Sequence, residues 1–274
     1  MPSVLVTGAS RGIGLAITEH MSARGWDVYA TARSDTALRS LERLPNVHAI
    51  ALDITDRSAI ATLADRLPLA LDGVVNNAGI IVNGPVESLS LDALSRQLDV
   101  NVTAQIAVTQ AVLPKIRAAR GRVVFMSSVS GLITTPGTGA YSASKYAIES
   151  LADALRMELR PWRIPVSLIE PGPTRTDMWG GMLDEHDRMT AQLTDEHREL
   201  YASHLAGSRK LLGRMQKFAG NPEKVVKAVD HALTSKRPKR RYLCDNVSRV
   251  QKALVAITPT MVNDAVLAGA TTSE

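Results

Sequence analysis

Cysteine is almost absent from this sequence: Cys244 is the only thiol among 274 residues. A single cysteine excludes any disulfide bond within the chain, and such usage is typical of proteins that stay in a reducing compartment. The sequence opens with Met1-Pro2-Ser3 and passes at once into an apolar strand-like run, without the basic segment and cleavage site of a secretory signal. We therefore expect a cytoplasmic protein.

Long apolar runs are lacking as well. A transmembrane helix needs about 20 predominantly apolar residues in succession. The best candidate, residues 253–268, is interrupted by Pro259, Asn263 and Asp264. The sequence therefore predicts no integral membrane span. Two interpretations of this apolar tail stay open, because it can cover either a partner or a pocket.

Aromatic residues make up only 4% of the chain, which argues against a stacking platform for single-stranded nucleic acid. The net charge of +5 permits acidic ligands without implying nucleic acid. The densest basic run covers residues 236–241. A solvated turn before a strand explains this run better than a patch for nucleic acid or anionic lipid does. We expect no nucleic-acid partner.

A recognisable metal motif is also missing. His186, His197 and His204 fall in one charged segment together with several carboxylates, but their spacing forms no compact set of ligands. We interpret this segment as a solvated flap of mixed charge and expect no metal site.

What the chain does contain is a regular alternation of strand-like apolar runs and segments with helical periodicity. Such alternation is typical of a parallel sheet covered by helices on both faces. We therefore predict an α/β fold, a doubly wound parallel sheet of the Rossmann type with about seven strands. The predicted strands are residues 3–7, 27–32, 47–52, 73–76, 122–127, 165–170 and 241–244. The predicted helices are residues 12–24, 34–44, 57–67, 91–117, 140–160 and 222–235.

One segment departs from this alternation. Residues 177–218 contain no predicted strand and follow the sixth strand, beyond its carboxyl end, where open α/β sheets bind ligands. A long insertion at such a place is more often a lid or a binding wall than inert loop. Its residues Met178, Trp179, Met182 and Met189 either line an apolar pocket or belong to the core. We assign residues 1–274 to a single domain with a substrate-binding insertion at 177–218.

A glycine-rich loop follows the first predicted strand, in Gly8-Ala9-Ser10-Arg11-Gly12-Ile13-Gly14. Glycines at such a place allow a tight turn, close approach of the backbone to a pyrophosphate, and close packing of helix on strand. The helix that follows offers free N–H groups and the positive end of its dipole to an anion. This loop predicts a dinucleotide phosphate site.

The end of the second predicted strand indicates which dinucleotide is bound. An acidic residue there would hydrogen-bond the adenosine ribose of NAD, but this chain has Ala32 followed by Arg33. A second guanidinium, Arg11, lies inside the glycine loop. Arginine offers planar, charge-assisted donors to phosphate, so two arginines and no carboxylate favour the extra phosphate of NADP(H).

Tyr141 stands four residues before Lys145, so on a helix the phenol and the ammonium share one face. A phenol with an ordinary pKa near ~10 is a poor proton donor or acceptor at neutral pH, and a nearby cation lowers that pKa. The pair therefore predicts a general acid or base. The plainer interpretation is a packed ring beside a solvated charge.

Four motifs in order make the chain resemble the short-chain dehydrogenase/reductase family, in its compact single-domain branch. The resemblance runs from about residue 2 to about residue 245 and is weakest across 177–218. It rests on the three-residue spacing of the glycine loop, on Asp53 after the third strand, on Asn76-Asn77-Ala78-Gly79 after the fourth, and on the Pro-Gly-x-x-x-Thr stretch at residues 171–176.

The resemblance implies roles for particular residues. It makes Asn101, Ser128, Tyr141 and Lys145 the catalytic set. Ser128, with Ser127 as the alternative, would bind the substrate oxygen, and Asn101 would interrupt the long helix and hold a water in a proton relay behind Lys145. Tyr141 and Lys145 would also contact the cofactor. The other cofactor contacts that it implies are Gly8, Ser10, Arg11, Gly12, Ile13, Gly14, Arg33, Asp53, Ile54, Asn77, Ala78, Gly79, Pro171, Gly172, Thr174 and Thr176.

From these observations we expect an NADP(H)-dependent oxidoreductase that interconverts an alcohol and a ketone or aldehyde. Steroid-like, retinoid-like, lipid-like and xenobiotic carbonyl compounds all remain possible substrates. The alternatives are a ketoacyl-type reductase of a biosynthetic pathway and a non-catalytic dinucleotide sensor. Family members commonly form homodimers or homotetramers through their long helices, here 91–117 and 140–160, and we expect the same of this chain.

Overall fold

The computed structural model describes residues 1–176 and 180–272. Within them, seven strands form one sheet in the order β3-β2-β1-β4-β5-β6-β7, and every neighbouring pair is parallel. The predicted doubly wound parallel sheet is confirmed, and each predicted strand agrees with the observed one to within a residue at its end. The strands are β1 (Ser3–Val6), β2 (Asp27–Ala32), β3 (Val47–Ala51), β4 (Gly73–Asn76), β5 (Arg122–Met126), β6 (Val166–Glu170) and β7 (Arg241–Leu243).

The helices that connect these strands differ more from the predictions. The predicted helix 57–67 is a short α-helix followed by a 3₁₀ turn at Leu63–Arg66, and the helix predicted at 34–44 ends at Leu41. The helices are α1 (Gly12–Ala23), α2 (Asp35–Leu41), α3 (Arg57–Ala61), α4 (Leu91–Leu98), α5 (Ala104–Ala119), α6 (Gly139–Glu158), α7 (Met182–Gln192), α8 (Asp195–Leu200), α9 (Ala202–Lys217), α10 (Glu223–Thr234), α11 (Asn246–Ile257) and α12 (Thr260–Gly269).

The core lies on both faces of the sheet because successive residues of a strand point to opposite sides. In β1, Val4 and Val6 belong to one buried cluster, while Leu5 between them belongs to the other. The first cluster includes apolar residues of α1 and α10, and the second includes residues of α5 and α6. Helices thus cover the sheet on both sides, and its strand ends are left free to form a site.

The long predicted helix 91–117 is interrupted. Helix α4 passes into α5 through a π-helical segment, Asp99–Thr103, and Asn101 at its centre is fully buried. A π-helical turn adds a residue to the turn and re-aims the side chains on it, and such turns are frequent at functional sites. The expectation that Asn101 interrupts the helix is therefore confirmed.

The insertion after β6 is helical where the structure describes it, in α7, α8 and α9. Met178 and Trp179 lie outside the described residues. Our interpretation of this segment as a solvated flap is wrong for His186, which is only 4% exposed. The residues of the apolar tail fall in two helices, α11 and α12. Thr271, just after α12, packs so closely on α9 that a Cβ atom at Gly207 would overlap its carbonyl oxygen.

In the parts of the chain that the structure describes, no helix combines the length and the apolar character that a bilayer span requires. The described residues likewise contain no group of three or more His, Cys, Asp or Glu side chains arranged to hold a metal ion.

Candidate active site

Most of the predicted site residues lie in or next to loops that follow the carboxyl ends of the strands, whereas Asn101, Tyr141 and Lys145 lie in helical segments. The glycine loop follows β1, Asn77 follows β4, Ser128 follows β5 and Pro171 follows β6. In a parallel sheet these ends meet at one edge, which is where open α/β sheets bind their ligands. The topology therefore gathers the predicted residues around one cleft.

The glycine loop requires glycine for two separate reasons. Gly8 and Gly12 have φ values of +65° and +59°, in the left-handed region that residues with a side chain rarely adopt. Gly14 is limited by space, because a Cβ atom there would lie 2.5 Å from Asn77 Nδ2 and closer still to the Gly8 carbonyl oxygen. The loop therefore lies against the start of α1 with no room for a side chain at Gly14.

Hydrogen bonds brace this loop against the neighbouring strands. The Thr7 hydroxyl accepts from the backbone N–H groups of Asn77 at 3.0 Å and Ala78 at 3.1 Å. Asn77 Nδ2 in turn donates to the Thr7 carbonyl at 2.9 Å and to the Gly8 carbonyl at 3.1 Å, and Gly8 N donates to the Thr31 hydroxyl at 3.2 Å. Asn77 thus holds the loop in shape, and Thr7 and Thr31 are positioning residues that the sequence analysis missed.

The start of α1 forms a place where an anion can bind. Arg11 is the residue before the first helical turn, and it and Ser10 are exposed. The first turn of α1 carries no acidic residue. Free N–H groups and the positive end of the helix dipole are therefore not neutralised by the chain itself.

At the end of β2, Ala32 is buried and the Arg33 side chain is 72% exposed. Arg33 Nη1 lies 3.8 Å from Asp53 Oδ2. Hydrogen bonds from the backbone and the hydroxyl of Thr55 lower the pKa of Asp53, with a smaller contribution from Arg33. Asp53 is therefore a carboxylate held by Thr55 beside an exposed guanidinium. The neighbouring Ile54 is 6% exposed and packs in the core.

Three side-chain amides on α4, the π segment and α5 hold the chain after β4. Asn101 accepts from Ile80 N at 2.8 Å and donates to Ile80 O at 2.9 Å. Gln97 accepts from Val82 N at 2.7 Å, and Gln105 donates to Ala78 O at 2.8 Å. The loop that follows Gly79 is therefore fixed along its length. Gln97 and Gln105 were not predicted, although their four-residue spacing from Asn101 is visible in the sequence.

Asn101 also reaches the helix that carries Tyr141. Its Nδ2 donates to the Ser144 hydroxyl at 3.2 Å, and that hydroxyl donates to the Tyr141 carbonyl at 2.6 Å. Asn101 therefore ties the loop after β4 to the first turn of α6. The water relay that the family resemblance implies for Asn101 stays a prediction.

Tyr141, Ser128 and Lys145 lie together. The Ser128 side chain lies close enough to the Tyr141 phenol to lower the pKa of that phenol, and the Lys145 ammonium lies 5.6 Å from the centre of the Tyr141 ring. Lys145 Nζ donates to the Met126 carbonyl at 2.7 Å. The alternative, Ser127, is buried with its hydroxyl against Gly131, and none of the described residues hydrogen-bonds that hydroxyl. The geometry therefore favours Ser128 over Ser127.

Burial controls both titratable groups of this cluster. It raises the pKa of Tyr141, which the hydrogen bond from Ser128 only partly offsets, and it lowers the pKa of Lys145 to about 8. The predicted lowering of the Tyr141 pKa by Lys145 is therefore wrong for the protein without a ligand. The Lys145 ammonium lies beside the Tyr141 ring and donates a hydrogen bond to the Met126 carbonyl, so it is not directed at the phenol oxygen. At neutral pH the phenol stays protonated.

The loop after β6 is held by Asp245, a residue far along the chain that the sequence does not point to. Gly172 N donates to Asp245 Oδ2 at 3.1 Å, and Asp245 also accepts from the backbone and the hydroxyl of Ser248 at the start of α11. The Thr174 hydroxyl donates to the Gly172 carbonyl at 2.9 Å. A Cβ atom at Gly12 would lie 3.4 Å from Cβ of Thr176, so this loop reaches the glycine loop. Asp245 is a positioning residue that the sequence analysis missed.

Comparison with known proteins agrees with this geometry. The family model described as short chain dehydrogenase matches residues 2–187. An uncharacterized oxidoreductase of Escherichia coli (strain K12), YbbO, is 35% identical over 272 residues, covering 97% of this chain and 94% of that protein. The NADPH-dependent 3-dehydrocapnine reductase of Ornithobacterium rhinotracheale is 32% identical, covering 96% of this chain and 95% of the relative.

Retinol dehydrogenase 16 of Mus musculus is 32% identical over 276 residues, covering 96% of this chain and 86% of the relative. A short-chain dehydrogenase from Streptomyces avermitilis has a similar solved structure, with a TM-score of 0.78, 28% identity and coverage of 93% of this chain and 92% of that chain. The sequence resemblance is thus confirmed over almost the whole chain. The protein is an oxidoreductase of the short-chain dehydrogenase family.

Proposed function

We propose that this protein is an NADP(H)-dependent oxidoreductase that interconverts an alcohol and a ketone or aldehyde on an apolar substrate. One observation carries the proposal: the Tyr141 phenol lies with the Ser128 side chain and the Lys145 ammonium at the sheet edge that also carries the glycine loop. That arrangement is suited to proton transfer at a carbonyl or alcohol oxygen next to a bound dinucleotide.

The glycine loop fits a dinucleotide, because its backbone and the start of α1 leave no side chain where a pyrophosphate would approach. Gly8, Ser10, Gly12, Ile13 and Gly14 would hold the pyrophosphate. The adenosine half of the dinucleotide, or the glycine loop beneath it, would be contacted by Asp53, Asn77, Ala78 and Gly79. Pro171, Gly172, Thr174 and Thr176 would border the nicotinamide. When bound, the dinucleotide supplies or accepts a hydride.

Arg33 and Arg11 support the choice of NADP(H). Both are exposed at the place where the adenosine ribose would lie, and Ala32 leaves that place without the acidic side chain that suits NAD. Asp53, the carboxylate near Arg33, is already held by Thr55. Arg33 is 72% exposed and its pair with Asp53 is long, at 3.8 Å, so its guanidinium can also meet a 2′-phosphate. The name of the relative from Ornithobacterium rhinotracheale, an NADPH-dependent reductase, agrees with this choice.

Replacement of Arg33 by alanine tests the cofactor preference. A charge-assisted hydrogen bond contributes about 1.5–3 kcal/mol, and the exposure of Arg33 places it at the low end, so we expect about tenfold weaker NADPH binding. NADH binding should change less than about twofold, because NADH lacks the phosphate. Fluorescence titration with both cofactors measures the difference. Arg39→Ala, at an exposed arginine on α2, is the control; equal losses for both cofactors in Arg33→Ala would contradict the proposal.

Gly14→Ala tests the phosphate loop. A Cβ atom there would displace Asn77 and the Gly8 carbonyl. Overpacking of this kind costs about 1–3 kcal/mol, so we expect NADPH affinity to fall by about fivefold or more. The control is Gly213→Ala on α9, where a Cβ atom would meet nothing within 4 Å. Unchanged NADPH affinity in Gly14→Ala, measured on folded protein, would mean that the dinucleotide binds elsewhere.

The residues of the cluster divide the proton chemistry between them. Burial keeps the Tyr141 phenol neutral, so it can donate a proton to a carbonyl oxygen that gains negative charge during reduction. Ser128 lies beside the phenol and can donate a hydrogen bond to the same oxygen. Lys145, with a pKa of about 8, is still mostly protonated at neutral pH, and its ammonium lies over the Tyr141 ring, where it adds positive charge to the site.

Apolar residues at the rim support an apolar substrate. The apolar side chains of residues 80–82 and 132–133, after β4 and β5, are partly buried, as are the methionine and leucine side chains of α7. A Cβ atom at Gly84 would lie 3.6 Å from Met189 Sδ, so α7 closes against the loop after β4. The residues of this proposed wall are Ile80, Ile81, Val82, Leu132, Ile133, Thr134, Met182, Leu183 and Met189. The relatedness to a retinol dehydrogenase agrees with a substrate of this kind.

The proposed assembly is a homodimer or homotetramer built through α6. Away from its C-terminal end, this helix exposes two large apolar side chains, Tyr146 and Leu151, with exposed fractions of 45% and 41%. A second copy of the chain would cover them.

A further inference from the structure

A second cleft in the molecule is lined by arginine. Arg156, Arg160, Arg163 and Arg240 surround a cavity of about 480 Å³, with Ile164 and Pro165 among the residues that form its apolar part. We call this cleft the arginine pocket. Its volume falls within the range of about 300–1,000 Å³ that is typical of small-molecule sites.

The arginine pocket lies away from the proposed active site. Arg163 and Pro165 precede β6, and Arg240 directly precedes β7, so the pocket is at the amino ends of these parallel strands. Tyr141 and the glycine loop are at the carboxyl ends. A ligand in the arginine pocket would therefore bind without occupying the dinucleotide cleft.

The backbone under these arginines is well fixed. The Arg240 carbonyl accepts from Leu168 N at 2.8 Å, which ties Arg240 to β6. Arg160 begins a 3₁₀ turn and Arg163 ends it in the left-handed conformation, with its N–H donating to the Arg160 carbonyl at 3.0 Å. The arginines are therefore carried by backbone that is held by hydrogen bonds, so the fold itself brings these residues to one cleft.

The positive charge of the pocket is poorly neutralised. Arg156 pairs with Asp153 at 2.9 Å, but Arg160, Arg163 and Arg240 form no ion pair with a carboxylate of the described residues. Like charges gathered in a concave site repel one another, and they also focus the field on an incoming anion. Guanidiniums match phosphate geometry with two parallel hydrogen bonds, which makes phosphate the anion that this set fits best.

We propose that the arginine pocket binds a small organic anion with two adjacent phosphate groups, free in solution. Three unpaired guanidiniums exceed what a single phosphate would neutralise, and the apolar part formed by Ile164 and Pro165 suits an uncharged portion of the ligand. The sequence predicts that the basic run at residues 236–241 is a solvated turn. The proposal assigns one of its residues to the pocket and leaves others outside it. Lys236, Arg237 and Arg240 are all exposed, but Arg240 lines the pocket, whereas Lys236 and Arg237 do not.

Calorimetric titration of the NADPH-saturated protein with inorganic pyrophosphate tests the proposal. Saturation with NADPH keeps the probe out of the dinucleotide cleft. We expect binding at millimolar or lower pyrophosphate, and Arg160→Gln/Arg240→Gln should weaken it about tenfold or more, since two charge-assisted hydrogen-bond donors are lost. The matched control, Lys236→Gln/Arg237→Gln, removes the same charge outside the pocket and should change pyrophosphate affinity less than about twofold.

NADPH affinity should be unchanged in both double variants, which separates this site from the proposed cofactor site. Equal weakening of pyrophosphate binding in the two variants would show an effect of net charge alone and overturn the proposal. Absence of pyrophosphate binding to the saturated wild-type protein would also overturn it. The proposal would likewise be overturned if the pocket arginines were needed only for sedimentation of the protein with vesicles containing phosphatidylserine. The phosphate would then belong to a membrane.

Discussion

Replacement of Tyr141 by phenylalanine is expected to lower kcat by about 10²–10⁴-fold, the usual contribution of a positioned general acid. The change removes the phenol oxygen, which lies near Ser128, and keeps the ring beside Lys145. The packing of α6 should therefore survive, and the Kd for NADPH should stay within about twofold of the wild-type value. Loss of turnover without loss of binding is the result that a proton donor predicts.

The measurement is NADPH oxidation with a panel of apolar ketones and aldehydes, followed in the same buffers as the NADPH titration. Tyr29→Phe is the matched control, because Tyr29 lies on β2 and stacks on His48, away from the carboxyl ends of β5 and β6. Its kcat should be unchanged. Full activity in Tyr141→Phe would refute the assigned role of Tyr141.

The same experiment separates an enzyme from a dinucleotide sensor. If the protein is a sensor, the wild-type chain itself would bind NADPH but would turn over none of the compounds of the panel. The geometry argues against that outcome, since a sensor has no need of a buried phenol held between Ser128 and Lys145. Binding without turnover across a broad panel would nevertheless favour the sensor over the reductase.

The architecture could be predicted from the sequence because its signals are local. A strand buried on both faces is a short apolar run, as in Val4-Leu5-Val6, and such runs alternate with amphipathic helices. Helix ends were less predictable. The segment 57–67 breaks at Thr62, after only five α-helical residues that Asp56 caps, and periodicity alone does not mark that break.

The site was predictable only where a motif is contiguous in sequence. The glycine loop and the spacing of Tyr141 and Lys145 are of that kind. Asp245 is not, because it reaches Gly172 from 73 residues away and no local pattern announces the contact. The direction of the Tyr141 pKa also escaped prediction, since it depends on how deeply the phenol is buried and on where the Lys145 ammonium points.

Arg241, at the start of β7, makes a second set of contacts that the sequence does not predict. Its guanidinium pairs with Glu149, with Asp153 at 2.6 Å and with Glu170 at 2.9 Å. Glu170 is fully buried and the Glu149 side chain is 6% exposed. One cation thus joins α6, which carries Tyr141, to the end of β6, which leads into Pro171 and Gly172. Arg241 is a positioning residue for both.

Arg241→Met is expected to lower the free energy of unfolding by about 3–5 kcal/mol, because removal of one partner leaves buried carboxylates without their cation. Urea denaturation measures the loss. Arg57→Met is the matched control, since the Arg57–Asp99 pair has side chains 51% and 42% exposed and should contribute no more than about 1 kcal/mol. A loss for Arg241→Met as small as that of the control would show that the buried carboxylates do not depend on this arginine.

The pH dependence of the Arg241→Met loss gives a second test of its cause. Burial raises the pKa of Glu170 already in the wild-type protein, and removal of the neighbouring cation should raise it further. An acid whose pKa is higher in the folded state than in the unfolded state binds more protons when folded, so its cost grows as pH rises from the unfolded pKa to the folded pKa. The deficit of Arg241→Met relative to wild type should therefore shrink as pH falls through the raised pKa of the folded state, because the buried carboxyl group is then protonated. A purely steric defect would give a deficit that does not change with pH. Because the same guanidinium fixes α6 and the strand before Pro171, any activity left in this variant should show a higher KM for NADPH than the Arg57→Met control.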